Sequence, residues 1–394
     1  MTKQLYSPVR LNSIIQPHIG GKPYDWGEKG PDSYIAQLLD LKDAKLDQPF
    51  SELWMGIHKE GPSTVESEGK TIFLSDFIAQ NPIEILGESV ATKYDNSLPF
   101  LLKVLSAAEI LSIQVHPNKE QALNLRLKDP AHYPDDNHKP EFAIVLDELS
   151  VLAGLKSKEE IMKIASMYKE LQDICDISEF EKGPKNIFVK LIEKGMENPE
   201  LVASTNTKIA SSLKQKSNLS AQDQIFLELF KTSPTDVGLL SVFLLNHYLL
   251  KENQAMYTPP GMPHAYVKGN IIEVMANSDM VIRVGPTPKF RDVDALGTVI
   301  TEIQPQMFEA VNGSFAYRTP AQEFTIHKYE LKAGETVESV SSSARILLVI
   351  SGEVKIGQET IRKGSSLFIP ASCGNVNIEC QNDAKVFIVD TPIT

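Results

Sequence analysis

Cysteine is scarce in this sequence of 394 residues, where it occurs only as Cys175, Cys373 and Cys380. Three irregularly spaced cysteines predict neither a disulfide framework nor a cysteine-rich metal site. Cys373 and Cys380 could in principle pair, but so few cysteines are typical of proteins in a reducing compartment. We therefore expect a cytoplasmic protein without disulfides.

Long apolar runs and an excess of positive charge are also missing. No run reaches the roughly 20 apolar residues of a membrane-spanning helix, and the first residues lack the hydrophobic segment of a signal peptide. The chain has 39 lysines and arginines against 51 aspartates and glutamates, a net charge of -12. This acidity disfavours nucleic acid or an anionic membrane as a partner, although a local basic pocket could still bind a small anion.

The chain is long for a single hydrophobic core, so two or three domains are expected. Residues 1–155 and 236–317 are rich in short apolar runs, proline and glycine, which is typical of strands and turns. Between them, residues 156–235 begin with a capping box at Ser157 and continue with apolar residues at helical spacing. The sequence therefore predicts a β domain that is interrupted by a helical insertion domain.

The last region, residues 318–394, has apolar runs separated by single glycines, which suits a small antiparallel jelly roll. The order of its turns resembles the cupin family. Cupin metal sites usually draw on histidines, and His327 is the only histidine after His264. We expect a mainly β protein with two cupin-type antiparallel jelly rolls and a helical domain. The C-terminal jelly roll is expected to be degenerate and metal-free; an unrelated β-sandwich is the alternative for this region.

The most informative segment is residues 111–117, which alternates between apolar and polar side chains. Read as a strand, it has an apolar face of Leu111, Ile113 and Val115 and a polar face of Ser112, Gln114 and His116. A polar face on an apolar strand predicts the lining of a cavity. Its carboxamide and imidazole groups could both reach one metal ion.

Two other segments offer further metal ligands. Glu141 opens an apolar strand, where an unpaired charge is costly, so either a basic side chain or a metal must be its partner. A loop rich in proline and glycine leads His264 into another strand and fixes its backbone. Glu141 and His264, together with Gln114 and His116, form a set of nitrogen and oxygen ligands. Such a set suits zinc with one coordination position open for water or substrate, and iron or manganese could use similar ligands.

The chain resembles the type I phosphomannose isomerase family over nearly its whole length. The resemblance rests on residues 24–27 (YDWG), 52–56 (ELWMG), 98–105 (LPFLLKVL), 111–119 (LSIQVHPNK), 137–141 (NHKPE), 263–266 (PHAY) and 273–279 (EVMANSD). It implies a cupin core, a helical domain, a second β domain and one zinc ion per chain, held by Gln114, His116, Glu141 and His264. The family's active-site arginine falls on Arg283. Met280 and Pro286 depart from the Asn and Leu that the family commonly has nearby, which leaves the shape of this loop open.

The resemblance implies the reversible isomerisation of D-mannose 6-phosphate and D-fructose 6-phosphate, an aldose–ketose interconversion through an enediol. A proton leaves C2 and returns to C1, so the enzyme needs an electrophile for the oxygen and a base for the carbon acid. The substrate is then a small sugar phosphate, and we expect a monomer that binds neither nucleic acid nor membrane.

The candidates for proton transfer are Lys139, Glu273, Asp279 and His138. We favour Lys139 acting with Asp279 or Glu273, and His138 acting with Lys139 in opening the sugar ring. Arg283 is expected to stabilise the oxyanion or to bind phosphate, because a planar guanidinium suits either role. The expected substrate contacts are Ser112, Lys103 and Lys289.

Simpler interpretations stay open for several of these residues. Lys139 could only pair with Glu141 or with phosphate, Glu273 could orient a ligating histidine, and Asp279 could only shape a turn. Trp26 and Trp54 are expected to pack in the core or to form the pocket wall. His58, His132 and His247 are expected to be structural, and Asp135 and Asp136 to lie in a solvated loop. Two rival functions are a non-catalytic sugar-binding cupin and an iron-dependent cupin dioxygenase, although the latter class favours more histidines.

Overall fold

The computed structural model describes residues 6–15, 24–67 and 69–393. The strands of the first half are β1 (Val9–Asn12), β2 (Ile14–Ile15), β3 (Glu28–Lys29), β4 (Pro49–Phe50), β5 (Glu52–Met55), β6 (Thr64–Ser67), β7 (Lys70–Phe73), β8 (Phe100–Ala107), β9 (Ile113–Val115) and β10 (Glu141–Leu155). Those of the second half are β11 (Leu245–Lys251), β12 (Ala255–Thr258), β13 (His264–Ala276), β14 (Ile282–Gly285), β15 (Gln306–Phe308), β16 (Phe315–Tyr317), β17 (Thr325–Leu331), β18 (Thr336–Ser339), β19 (Arg345–Ile356), β20 (Glu359–Arg362), β21 (Ser366–Ile369) and β22 (Val376–Asp390).

The helices are concentrated between strands β10 and β11. The α-helices are α1 (Tyr34–Leu38), α2 (Leu74–Gln80), α3 (Pro82–Leu86), α4 (Glu88–Lys93), α5 (Lys119–Lys128), α6 (Lys158–Met167), α7 (Ile177–Glu181), α8 (Pro184–Glu197), α9 (Pro199–Leu213), α10 (Ala221–Thr232), α11 (Gly238–Ser241) and α12 (Val293–Val299). Short 3₁₀ helices cover Lys169–Asp173, Val242–Leu244 and Ala371–Cys373. Within the described ranges, no helix is long and apolar enough to span a membrane.

One antiparallel sheet contains the predicted site segments. Its main path runs β15-β12-β10-β13-β8-β5-β2, with β11 added beside β10, β9 beside β13, and β14 beside β9. Strand β10 is buried on both faces. Because successive side chains of a strand point in opposite directions, Phe142 and Ile144 lie in one hydrophobic cluster and Ala143 and Val145 in another. This sheet therefore has an inner face, on the side of Ala143, and an outer face that packs against the rest of the chain.

A second antiparallel sheet is built mainly from C-terminal strands, and it also includes three strands from the N-terminal part of the chain. Its main path is β16-β17-β22-β19-β21-β1-β6-β7, with β18 beside β22 and β20 beside β19. Strand β1 pairs with β21, so residues near the start cover an edge that would otherwise be exposed. Apolar side chains such as Leu347, Val349 and Val386 form a buried cluster between the C-terminal strands.

The helical segment supports the strand that was singled out from the sequence. Capping boxes at Ser157 and Ser220 begin α6 and α10, as their sequences predict. Ile113 and Val115 of β9 lie in the same buried cluster as the apolar faces of α6, α8, α9 and α10. The predicted architecture, mainly antiparallel β with a helical part, is confirmed.

Candidate metal centre and active site

Three predicted ligands converge at one point on the inner side of the first sheet. His116 follows β9, Glu141 begins β10 and His264 begins β13; all three are buried. One ligand atom from each lies within 4.8 Å of the other two. Glu141 lies between the imidazoles, with its Oε1 3.4 Å from His116 Nε2 and its Oε2 3.1 Å from His264 Nε2.

Backbone carbonyls determine which ring nitrogen carries the proton. His116 Nδ1 lies 2.8 Å from the Met280 oxygen, and His264 Nδ1 lies 3.1 Å from the Met262 oxygen. A carbonyl can only accept, so each Nδ1 carries a hydrogen, and in a neutral ring the Nε2 atom then presents a lone pair. Both Nε2 atoms and Glu141 Oε2 are buried without a hydrogen-bond partner. Three acceptors that face one another in this way need a cation between them.

The electrostatics of the cluster favour the metal-binding protonation states. Burial lowers the pKa of His116 to about 4 despite the opposing charge of Glu141, so the contact between them is not an ion pair at neutral pH. Burial alone would raise the pKa of Glu141, but the nearby charge of Lys139 holds it well below its usual range. A neutral imidazole at His116 beside an ionised carboxylate at Glu141 fits zinc ligation.

Gln114 and Arg283 lie on the same face as this cluster. In the sheet register Gln114 stands opposite His264 on one side and opposite Arg283 on the other. Directly opposed residues of antiparallel strands share a face, so all three point to the same side. Ser112, two residues before Gln114, precedes β9 and is half-buried.

A buried network of charges lies on the inner face beside the metal ligands. Lys103 Nζ lies 3.0 Å from Glu273 Oε2 and 3.6 Å from Glu52 Oε1, and it sits over the Trp54 ring. Burial would lower the pKa of Lys103, but Glu52 and Glu273 together raise it. Burial raises the pKa of Glu273 despite the attraction of Lys103. Trp54 Nε1 donates to Glu52 Oε2 over 2.9 Å, which completes the network.

Lys139 and Asp279 have different surroundings. Lys139 Nζ lies 3.2 Å from Glu141 Oε1, next to the metal ligands. Asp279 contacts His58 Nε2 at 3.1 Å and Lys59 Nζ at 3.3 Å. Burial would raise the pKa of Asp279, but these two partners lower it to about 2. Asp279 is therefore ionised at every physiological pH.

The remaining predicted residues, Lys289 and His138, have partners outside the metal cluster. Lys289 is exposed, with its Nζ 5.9 Å from the centre of the Tyr24 ring. Partial burial lowers the pKa of Lys289, and the nearby positive charge of Arg283 lowers it further. His138 Nε2 lies 2.8 Å from Glu323 Oε1, in the loop before β17. The structure thus directs the His138 ring toward the C-terminal part of the chain, whereas Lys139 contacts Glu141.

Sequence reasoning missed three residues that contact the site. Glu52 and Trp54 belong to the Lys103 network, and His58 pairs with Asp279 and packs edge-on against Trp54. The alternation of Glu52 and Trp54 in one strand was a usable signal, since it places both side chains on one face. His58 had no such signal, because its partner lies more than 200 residues further along the chain.

Two family models match the sequence. The model for "Phosphomannose isomerase type I, catalytic domain" matches residues 15–158, and that for "Mannose-6-phosphate isomerase, cupin domain" matches residues 315–388. The second match covers most of the region that was expected to be a degenerate cupin-type jelly roll.

Similar proteins cover almost the whole chain. A mannose-6-phosphate isomerase of Candida glabrata is 34% identical over 93% of this chain and 95% of its own length. One from Rattus norvegicus is 34% identical over 89% of this chain and 91% of its own. A crystal structure of mannose 6-phosphate isomerase from Salmonella typhimurium, bound to its substrate fructose 6-phosphate and to zinc, is 28% identical. It superposes with a TM-score of 0.83, covering 98% of this chain and 100% of that one.

Proposed function

The chain belongs to the type I phosphomannose isomerase family, and we propose that it interconverts mannose 6-phosphate and fructose 6-phosphate with one bound Zn²⁺. The observation that carries this proposal is the set of three buried acceptors: His116 Nε2, His264 Nε2 and an oxygen of Glu141. Two imidazole nitrogens and one carboxylate oxygen are a ligand set of catalytic zinc sites, in which a further coordination position is available to substrate. The zinc-bound Salmonella relative supports the choice of metal.

We assign Gln114, His116, Glu141 and His264 as the residues that would hold the ion. When bound, zinc supplies a Lewis acid for the substrate oxygen on which negative charge develops. The carbonyls of Met280 and Met262 hold the two imidazoles in the tautomer that ligation requires. Lys139 lies against the carboxylate ligand, where its charge favours the ionised form of Glu141.

Proton transfer between C2 and C1 needs a group whose pKa is not far below the working pH. Asp279 meets this requirement poorly, because His58 and Lys59 lower its pKa to about 2. Glu273 meets it better, because burial raises its pKa and its side chain lies on the inner face of the sheet. We propose Glu273, acting with Lys139, for the proton transfer and retain Asp279 as a group that shapes the opening.

Arg283, Lys289 and Ser112 are the proposed contacts of the sugar phosphate. Arg283 and Lys289 bring two positive charges close together in an otherwise acidic chain, which favours a phosphate dianion. Lys103 is a weaker candidate than the sequence suggested, because Glu52 and Glu273 already engage its ammonium group. We propose that Lys103 neutralises these two carboxylates.

The reaction and its route can be tested together. The zinc-loaded protein is incubated with mannose 6-phosphate in D₂O, and fructose 6-phosphate is measured by a coupled assay and by NMR. The proposal expects conversion with deuterium entering C1 of the ketose, because an enediol exchanges its proton with the base and the solvent. Deuterium at C1 would support the enediol route, whereas absence of conversion would overturn the isomerase proposal.

A further inference from the structure

Asp135 lies in a loop that sequence reasoning interpreted as solvated, but the structure shows it as an acceptor for three donors. Its Oδ1 accepts the Asn137 N–H at 3.0 Å and lies 2.8 Å from the Ser278 hydroxyl oxygen, which is closer than the other acceptor of that hydroxyl, the Asn137 carbonyl at 3.1 Å. Its Oδ2 accepts the Asp279 N–H at 2.7 Å. One carboxylate therefore joins the loop that precedes β10 to the loop that follows β13.

A continuous path of hydrogen bonds leads from this carboxylate to a metal ligand. The Ser278 hydroxyl, which donates to Asp135, accepts the Met280 N–H at 3.1 Å. The Met280 carbonyl accepts the Nδ1 hydrogen of His116 at 2.8 Å. Ser278, Met280 and His116 are all buried, so each of these bonds replaces contacts with water that the folded chain cannot make.

The Asp135 side chain also fixes the backbone at Asp279. Its Oδ2 bonds the Asp279 amide, while the Asp279 carboxylate contacts His58 and Lys59. The two loops are joined a second time by Asn137, whose amide donates to the Asn277 oxygen at 3.0 Å. A displacement of Asp135 would therefore move both the carbonyl that holds His116 and the backbone of Asp279.

We propose that Asp135 is a positioning residue of the metal centre, which acts through Ser278 and Met280 to keep His116 ready to bind metal. This inference rests on the proposed function only in taking zinc as the metal. A carboxylate suits the position because it accepts at both oxygens, whereas an asparagine offers one acceptor and an N–H₂ group. In Asp135→Asn that N–H₂ group would oppose one of the three donors and leave it unsatisfied.

The test compares Asp135→Asn with Asp136→Asn, which removes the same charge from the exposed neighbouring position. Zinc affinity is measured by competition with a chromogenic chelator, and circular dichroism checks that each variant folds. Asp135→Asn is expected to bind zinc about 10–100-fold more weakly than the wild type, a typical loss for a residue that orients a ligating histidine. Asp136→Asn is expected to match the wild type.

A spectroscopic measurement separates positioning from a general loss of stability. In the metal-free protein, ¹⁵N NMR is expected to show His116 protonated at Nδ1, and Asp135→Asn is expected to show a mixture of ring tautomers. Ser278→Ala is a second variant in case Asp135→Asn does not fold, and the same direction of change is expected from it. Zinc affinity within twofold of the wild type, or an unchanged His116 spectrum, in the folded variant would overturn the proposal.

These readouts do not depend on turnover. If the zinc-loaded wild type failed to isomerise mannose 6-phosphate, the proposed function would fail, whereas the comparison of Asp135→Asn with Asp136→Asn would still decide the role of Asp135.

Discussion

Replacing Lys103 with methionine is expected to destabilise the fold by about 3–5 kcal/mol, because it leaves two buried carboxylates without their cation. The ammonium nitrogen lies 3.0 Å from Glu273 and 3.6 Å from Glu52, so at an effective dielectric constant of about 20 each attraction is on the order of 5 kcal/mol before desolvation. Methionine keeps most of the packing volume. The loss is therefore electrostatic, and Lys103→Arg should recover part of it.

The loss should depend on pH in a defined direction. Burial already raises the pKa of Glu273 in the folded protein, and without Lys103 this pKa would rise further above the unfolded value of about 4.3. Destabilisation is then complete above the folded-state pKa and shrinks as the pH falls toward the unfolded value. The deficit of Lys103→Met relative to the wild type should accordingly be smaller at pH 5 than at pH 8.

Urea unfolding of the zinc-loaded variants measures this difference. Lys332→Met is the matched control, because its ion pair with Asp383 is exposed on both sides and should contribute nothing measurable. A Lys103→Met protein within about 1 kcal/mol of the wild type at pH 7 would refute the reasoning, since it would mean that the two carboxylates are stable in the core without a cation.

Gln114→Ala is expected to weaken zinc binding at least about tenfold, as measured by chelator competition. Arg283→Ala should keep zinc and lose about 10²–10³ in kcat, as measured by the coupled assay. Near-normal turnover of Arg283→Ala would remove that residue from the mechanism. Asp279→Asn should cost about 2–3 kcal/mol at pH 7, because the folded-state pKa of about 2 lies below the unfolded value near 3.9. That contribution is present above pH 4 and is lost as the pH falls from about 4 to about 2, so urea unfolding at pH 7 and pH 3 should show the penalty shrinking; a penalty independent of pH would contradict it.

The candidate metal centre could be predicted because its signal is local. The alternation at Gln114 and His116 and the single charge of Glu141 at the start of an apolar strand are visible within a few residues. Periodicity alone does not show which strands are neighbours. The segments that contain His116, Glu141 and His264 each place a nitrogen or oxygen ligand beside apolar residues, however, and such buried ligands need a common partner. The structure brings His116, Glu141 and His264 together, as expected.

The surroundings of the site could not be predicted, because they depend on pairing between distant strands. Lys103 meets Glu273 only because β8 pairs with β13 in a register that places them opposite each other, 170 residues apart in the chain. His138 and Lys139 are neighbours in sequence, yet successive residues of an extended chain point in opposite directions, and the two side chains have different partners.

The role of Asp135 was hidden for a related reason. An acidic residue in a polar loop is usually solvated, and nothing near Asp135 in the sequence indicates that Ser278 and Asp279 will meet it. The contribution of β1 to the second sheet is equally non-local, since its partner β21 lies more than 350 residues away. Sequence patterns indicate which segments form strands, whereas the contacts between loops depend on how distant strands pair.

A titration of turnover against zinc content tests the central claim most directly. Metal is removed completely by chelation, zinc is returned in steps, and the rate of fructose 6-phosphate formation from mannose 6-phosphate is recorded with the zinc content of the same sample. We predict no turnover without metal and a linear rise that ends at one zinc per chain. Turnover that survives complete removal of the metal, or a fully zinc-loaded protein without turnover, would contradict it.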